Sequence, residues 1–245
     1  MKRSSFITIG AMLFLVLSGA AARAQSSVSD EGKFEVGGQF SVFNVSPGRA
    51  SALSPVQCVT TPCLPVIVTS DERETEFGFG ARIGYNVTEH VTLEAEGNFF
   101  PRDRARAGGR KLEGLFGAKV GKRYEQVGVF AKARPGFVRF EQGSLRQPPN
   151  TVCVAVFPPP AGCFESRSRT QFAFDLGGVL ELYPSRRTIV RFDAGDTIIR
   201  FGERAALVQV DPPAGTTIPT RIFVGRAPAD TTHNFQASVG FGFRF

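Results

Sequence analysis

The chain ends with the stretch "HNFQASVGFGFRF" (233–245), in which apolar residues alternate with polar or small ones without a break. A repeat of two residues is typical of a β-strand, because successive side chains of a strand point to opposite faces. The stretch therefore predicts a strand with one fully apolar face. Its apolar positions are Phe235, Ala237, Val239, Phe241, Phe243 and Phe245.

The same alternation recurs in seven further segments, so the sequence predicts eight strands. They are "KFEVGGQFSVF", "ETEFGFGARIGYNV", "VTLEAEGNFF", "KLEGLFGAKVGKR", "VGVFAKARPGFVRF", "QFAFDLGGVLELY" and "TIVRFDAGDTIIRF". Each is about 10 to 14 residues long, and a tilted strand needs roughly 9 to 11 residues to cross a bilayer. Pro135 cannot donate to a ladder, so we expect a bulge or a strand end there. The pattern leaves the register after Asp196 open.

The connections between these segments alternate in length. Short turns follow the second, fourth and sixth strands, and long segments of about 44–73, 101–110, 141–169 and 202–232 follow the others. Short turns at one rim and long loops at the other are typical of membrane-spanning β-barrels. Insertion of one loop hairpin would give ten strands instead of eight.

The second face of each predicted strand mixes charged residues with glycine. A small eight-stranded barrel has room inside only for side chains, and an unpaired buried charge costs several kcal/mol. We therefore expect the inward charges to form paired networks that plug the lumen. They are Glu76, Arg82, Glu94, Glu96, Glu113, Lys119, Lys132, Arg134, Asp175, Glu181, Arg191, Asp193 and Arg244.

The end of the chain carries a family resemblance. Val239, Phe241, Phe243 and the terminal Phe245 resemble the C-terminal signal that the outer-membrane assembly machinery reads. With the pattern of residues 33–245, the chain is similar to small bacterial outer-membrane β-barrel proteins, of the kind typified by the OmpA membrane domain and OmpX. The resemblance implies an all-β fold: an eight-stranded antiparallel up-and-down transmembrane β-barrel with long external loops. This family does not share one activity.

The beginning of the chain has the pattern of an export signal. Lys2 and Arg3 precede an apolar run from Phe6 to Leu17, and a small-x-small site ends at Ala24. This pattern predicts a cleaved signal peptide over 1–24 and a barrel domain over 25–245. An uncleaved anchor is the alternative, although the apolar run is shorter than the roughly 20 residues of a spanning helix.

Four cysteines lie within two of the long loops. An even count in an exported chain favours disulfides over metal ligands. We expect one local disulfide in each loop, Cys58 with Cys63 and Cys153 with Cys163, and cross-loop pairing is the open alternative. The stretch "VQVDPPAGTTIPTRIFVG" (208–225) predicts another protruding hairpin. We expect no metal and no cofactor.

The charge of the chain limits its possible partners. The formal net charge is +7, but no long basic run is present, and we expect no nucleic-acid partner. The cluster "RDRARAGGRK" (102–111) predicts contact with lipopolysaccharide phosphates from an external loop. We expect a monomer whose partners are outer-membrane lipid, lipopolysaccharide and the assembly machinery, with a structural or surface-interaction role and no enzymatic activity.

Two other functions stay open at this point. A lipid A-modifying enzyme would need His233 at its centre, approached by Asp230 or Ser168. A narrow channel for small solutes would need an open path through the interior.

Overall fold

The computed structural model describes residues 32–46, 48, 50–54, 66–70, 73–103, 108–146, 165–210 and 221–245. Within these residues every regular element is a β-strand, and none forms a helix long and apolar enough to cross a membrane. In chain order the strands are β1 (Phe34–Val45), β2 (Ala50–Ser54), β3 (Val66–Ser70), β4 (Glu74–Asn86), β5 (Val91–Phe100), β6 (Lys111–Arg123), β7 (Val127–Arg146), β8 (Glu165–Leu182), β9 (Thr188–Phe201), β10 (Arg204–Val210), β11 (Arg221–Ala227) and β12 (Asp230–Arg244).

Eight of these strands form a closed barrel in the order β1, β12, β9, β8, β7, β6, β5 and β4. Neighbouring strands are antiparallel throughout, and the last strand pairs with the first, with Val239 opposite Phe40. Closure leaves the barrel without an unpaired edge. The predicted eight-stranded antiparallel barrel is therefore confirmed.

The four remaining strands form a separate sheet at the long-loop end, in the order β10, β11, β2 and β3. The hairpin predicted over 208–225 is present, with Val210 opposite Arg221, and its tip lies outside the described residues. The loop strands of this sheet do not insert into the barrel, so the ten-stranded alternative is wrong.

The register fixes the tilt of the strands. A row of paired residues that starts at Arg200 of β9 passes around all eight strands and returns to β9 at Val190, ten residues away. At about 3.3 Å per residue and 4.7 Å between strands, this stagger tilts the strands by about 40°. The resulting interior is only wide enough to be filled by side chains.

The outward face of the barrel is apolar and exposed. Phe79, Phe116 and Phe235 are 59%, 62% and 57% exposed, as expected for side chains that face lipid rather than a core. On β8 the outward apolar positions run from Leu182 to Phe172, ten residues that rise about 25 Å along a strand with this tilt. That height matches the apolar band of a membrane-spanning barrel.

Two details of the strands differ from the expectation. β7 and β8 have 20 and 18 residues, so the expected upper limit of about 14 was wrong for this hairpin. The bulge or strand end expected at Pro135 is also wrong. The ring of Pro135 faces outward, and the register of β6 with β7 is the same on both sides of it, from Leu115 opposite Gly136 to Ala118 opposite Ala133.

The irregularity in this hairpin lies further out. The register of β7 with β8 shifts between Phe140 and Ser144, where both strands have passed the apolar band. β9 continues in one register through Asp196 to Phe201, which closes the question that the sequence pattern left open.

Two adjacent glycines of β8 give a matched test of interior packing. A Cβ on the inward Gly177 would lie 2.2 Å from the carbonyl oxygen of Ala194, whereas one on the outward Gly178 would come no closer than 3.9 Å to the oxygen of Phe130. We expect Gly177→Ala to lower the free energy of unfolding by about 1–3 kcal/mol, because the two strand backbones must move apart. Gly178→Ala should change it by less than about 0.5 kcal/mol.

The measurement is urea unfolding of the two variants in lipid vesicles. Equal losses for the two variants would contradict this account of the interior.

The charged interior of the barrel as candidate functional site

The inward face of the barrel carries ionisable side chains from all eight strands. Among the described side chains of these strands, eight acids and eight bases are at most 6% exposed, so their formal charges cancel. They are Glu35, Glu76, Glu94, Glu96, Glu113, Asp175, Glu181 and Asp193, and Arg82, Lys111, Lys119, Arg123, Lys132, Arg134, Arg191 and Arg244. Burial of this much charge is tolerable only when the groups are paired and hydrogen-bonded.

At the short-turn end the carboxylate of Glu35 collects several donors. Its Oε1 accepts a hydrogen bond of 3.1 Å from Nε of Arg244, and its Oε2 accepts one of 3.0 Å from Nζ of Lys119. Asn86 donates to it at 3.1 Å, and Arg123 lies 3.6 Å away. Because Glu35 is on β1 and Arg244 is on β12, this cluster ties the first strand to the last.

The centre of the interior is built around Glu94. Both of its oxygens accept hydrogen bonds from the guanidinium of Arg191, one of them at 3.0 Å, and Lys119 lies 3.3 Å away. Arg191 also donates to Asp193 at 2.8 Å, and Lys119 donates to Glu181. A bidentate pair of this kind is among the strongest hydrogen-bonded arrangements in proteins.

Two basic residues of β7 cross the interior above this centre. Arg134 donates to Glu96 at 2.5 Å and to Asp175 at 2.8 Å. Lys132 lies 2.9 Å from Asp175 and also contacts Asp193. These contacts connect β5, β7, β8 and β9, so the side chains span the lumen from wall to wall. We call the ion-paired residues of these three clusters the ionic network.

Two of the predicted lumen charges are not ion-paired within the described residues. Oε2 of Glu113 accepts hydrogen bonds of 2.8 Å from the amides of Asn98 and Gln236, and its Oε1 has no partner. Arg82 is buried beside the network, and its Nη1 has no hydrogen-bond partner. The expectation that every inward charge is paired was therefore wrong at these two positions.

A cluster of buried apolar side chains, here called the apolar layer, lies at the long-loop end of the interior. Within the described residues it consists of Phe43, Val45, Phe100, Val138, Phe140, Ala173, Ile199 and Phe201, none more than 3% exposed. The rings of Phe43 and Phe100 lie 5.3 Å apart, and those of Phe140 and Phe201 lie 5.5 Å apart. The sequence analysis did not predict this layer.

Lys111 lies beside the apolar layer, with its Nζ 2.6 Å from Glu76 and 5.6 Å from the ring centre of Phe140. Its side chain is fully buried, so its assignment to an external basic cluster was wrong. In the same cluster, Arg102 donates to a backbone oxygen and Arg110 pairs with Glu141 at 2.9 Å, while residues 104–107 lie outside the described part.

Arg204 begins β10 of the four-stranded sheet at the long-loop end, which we call the outer sheet. Its guanidinium carbon lies 4.3 Å from the ring centre of Phe201, on which it stacks. Burial and the nearby charge of Arg169 lower the pKa of Arg204 to about 10, although Asp230 acts in the opposite direction. Arg204 is therefore still charged at neutral pH.

Glu35, Lys111 and Arg123 belong to the interior, but the sequence analysis did not include them among the lumen charges. Each is two residues from an inward position that the alternation had identified, namely Gly37, Glu113 and Gly121. The alternation had already placed Glu35 on the inward face, and extension of the two-residue repeat by one step would have found Lys111 and Arg123.

His233 lies on the outward face near the long-loop rim, and its Nδ1 is 2.6 Å from Oδ2 of Asp196. Neither Asp230 nor Ser168, the expected partners, forms a hydrogen bond or ion pair with the ring. Ser168 instead accepts a hydrogen bond of 3.3 Å from Arg139. Within the described residues the ring of His233 therefore has a carboxylate partner and no nucleophile beside it.

Two further sets of predicted residues have different outcomes. The four cysteines at 58, 63, 153 and 163 lie outside the described residues, so their pairing stays a prediction. The four residues of the proposed C-terminal signal point outward and are at least 45% exposed: Val239, Phe241, Phe243 and Phe245. Their recognition by the assembly machinery stays a prediction.

Comparison with known proteins gives the family. The model of the outer membrane protein beta-barrel domain family matches residues 12–245. The chain belongs to this family. It is therefore an outer-membrane β-barrel protein. A search of curated proteins finds no match.

Solved outer-membrane barrels resemble this one at low sequence identity. The outer membrane protein OprG from Pseudomonas aeruginosa is 9% identical with a TM-score of 0.43, covering 90% of this chain and 99% of its own. The N-terminal barrel domain of OprF from the same organism is 10% identical with a TM-score of 0.38, covering 89% and 100%. Ail of Yersinia pestis is 14% identical with a TM-score of 0.39, covering 88% and 99%.

Two glutamates of the interior give a matched test of the ionic network. Glu94→Gln should lower the free energy of unfolding by about 3 kcal/mol or more, because Arg191 loses its bidentate partner while it stays buried. Glu113→Gln should cost less than about 1 kcal/mol, because the amide oxygen can accept both hydrogen bonds that Oε2 accepts now. Urea unfolding in vesicles would measure both values, and a larger loss for Glu113→Gln would refute the assignment.

Proposed function

We propose that this outer-membrane barrel is a sealed structural protein that offers its outer loops for surface contacts. The observation that supports the proposal is the presence of two sets of buried side chains inside the barrel, one ionic and one apolar. The ionic network spans the lumen, and the apolar layer lies above it at the long-loop end.

Each set opposes transport in its own way. A solute that passes the ionic network would have to separate pairs such as Arg134 with Glu96, and breaking a buried pair costs about 3–5 kcal/mol. The apolar layer offers a passing ion or water molecule no hydrogen-bond partner to replace its hydration. The balance of eight acids against eight bases also leaves no net field that would favour ions of one sign.

The contrast between the two rims supports an orientation. The connections at one rim, such as 87–90 and 124–126, are short, whereas the other rim carries the four-stranded sheet. In outer-membrane barrels the short turns face the periplasm and the long loops face outward. With eight strands, both ends of the barrel then face the periplasm, to which the proposed signal peptide over 1–24 would deliver the chain.

The outer sheet and the loops next to it are the proposed contact surface. Disulfides between Cys58 and Cys63 and between Cys153 and Cys163 would rigidify two loops, so that less conformational entropy is lost on binding. The proposed partners are lipopolysaccharide and outer-membrane lipid around the barrel, with the assembly machinery acting on the C-terminal strand. The proposed form is a monomer without enzymatic activity.

Conductance of the purified barrel in planar lipid bilayers tests the sealed interior. We expect the protein to show no steady channel current, because both sets must open for ions to pass. A variant with Glu96, Lys132, Arg134 and Asp175 all replaced by serine, together with Phe43→Ala and Phe140→Ala, should conduct if it folds, since it shortens the bridging side chains. Steady channels from the unmodified, folded protein would contradict the proposal.

Peptide mapping without reduction tests the loop clamps. Protease digestion of the protein from the bacterial envelope should give peptides in which Cys58 is linked to Cys63 and Cys153 to Cys163. Reduction should shift both masses by two hydrogens. Links between the two loops, or free thiols at all four positions, would contradict local clamping.

A further inference from the structure

The outward face changes character where β7, β8 and β9 leave the apolar band at the long-loop end. Phe137 and Phe172 lie opposite each other on β7 and β8 and are 43% and 57% exposed. The next outward positions on these strands are Arg139 and Thr170, which are again paired, and Arg200 of β9 lies opposite Phe172. All three of these polar residues are exposed.

These three residues form a compact group at one height. Arg139 and Arg200 are two strands apart, about 10 Å between backbones, with Thr170 on the strand between them. Because the strands tilt by about 40°, the three positions lie at nearly the same level above the two phenyl rings. We call Arg139, Thr170 and Arg200 the rim triplet.

The two arginines have no acidic partner among the described residues. In the part of the chain that the structure describes, neither guanidinium forms an ion pair, and the recorded contact of Arg139 is one hydrogen bond to the Ser168 hydroxyl. The nearby Arg110 differs in this respect, because it is paired with Glu141 at 2.9 Å. The rim triplet therefore presents two uncompensated positive charges outward.

The barrel wall differs on the side opposite the rim triplet. On the opposite side, the outward residues at the same level of β1 and β4 are Asn44 and Thr75, which hydrogen-bond to each other at 3.0 Å and carry no charge. At the short-turn rim the outward positions Phe34, Tyr85 and Phe243 are apolar or aromatic, and Lys122 is an exposed outward cation. The rim triplet therefore differs from the single exposed cation Lys122, because it has two arginines with a hydroxyl between them at one level.

From this arrangement we propose that the rim triplet binds the phosphate groups of a phosphorylated glycolipid in the outer leaflet. Arg guanidinium groups recognise phosphate oxygens through paired charge-assisted hydrogen bonds, and the Thr170 hydroxyl supplies a further donor between them. The exposed rings of Phe137 and Phe172 lie directly below, where the acyl chains of the same molecule would pack. The occupant must therefore carry phosphate and acyl chains together, as lipid A does.

The site extends the proposed function, because it assigns the expected contact with lipopolysaccharide to the rim triplet. It moves that contact from the 102–111 segment to the barrel wall. It rests on the proposed orientation, with the long-loop rim in the outer leaflet. It does not rest on the sealed interior, so a conducting barrel would leave it intact.

The test is lipid binding by the purified full-length barrel in detergent micelles, followed by native mass spectrometry. The probes are diphosphorylated lipid A, the same lipid with its phosphates removed, and inorganic phosphate as competitor. The variant is R139Q/R200Q. The control variant is K122Q, which removes an exposed outward cation at the short-turn rim. Folding of each variant is checked by the heat-dependent shift of the barrel in gel electrophoresis.

We expect R139Q/R200Q to weaken binding of diphosphorylated lipid A at least tenfold and K122Q to leave it within about twofold, since each charge-assisted hydrogen bond contributes measurably to affinity. Removal of the phosphates should weaken binding to the unmodified protein by a similar factor. Millimolar inorganic phosphate should not displace the lipid, because the acyl chains contribute to binding.

Three outcomes would overturn the inference: equal binding of the two lipids, an equal loss in K122Q and R139Q/R200Q, or full displacement by inorganic phosphate. If R139Q/R200Q does not fold, T170E keeps the test decisive, because it places a negative charge between the arginines at an exposed position. T170E should then weaken binding of the diphosphorylated lipid at least tenfold, and unchanged binding in T170E would refute the site.

Discussion

In the hydrocarbon of a membrane, every backbone donor and acceptor must find its partner within the protein. The pairing of β12 with β1 satisfies this constraint, because it removes the last open edge of the sheet. Closure with eight strands and a ten-residue stagger then fixes the width of the interior. The narrow interior in turn requires small residues on the wall beside long side chains, as where Lys132 of β7 lies next to Gly177 of β8. The outward phenylalanines and inward charges are both consequences of one closed sheet in lipid.

Two kinds of side-chain packing occur inside the barrel. The ionic network gives strong directional contacts between strands that are not neighbours, such as Arg134 of β7 with Glu96 of β5. The apolar layer packs without directional demands and separates those charges from the long-loop end. Glu113 belongs to neither group, because its carboxylate accepts hydrogen bonds from amides and has no ion pair among the described residues. A polar network of this kind fixes one arrangement of the strands, because other registers would leave buried charges unpaired.

The two-residue repeat was enough to predict the barrel strands, their number and the direction of most side chains. It failed where both faces of a strand are apolar. At the end of β1, Val42 points outward and Phe43 inward, so the apolar layer leaves no alternation in the sequence. The short strands β2, β3, β10 and β11 were largely missed for a related reason, because no lipid-facing band imposes a long regular pattern on them. Which charges pair could not be predicted either, since partners such as Glu94 and Arg191 are 97 residues apart.

The contact between Glu35 and Arg244 has a consequence for the order of assembly. These residues are 209 positions apart, at opposite ends of the barrel sequence, whereas the hairpins β4–β5, β6–β7 and β8–β9 join near neighbours. Chain entropy makes such remote encounters slow compared with hairpin formation. We therefore expect the pairing of β1 with β12 to be the final step of folding, and the contact between Glu35 and Arg244 to stabilise that pairing once it forms. Until that step, β1 and β12 are two free strand edges, which are the surfaces that a catalyst of insertion would hold.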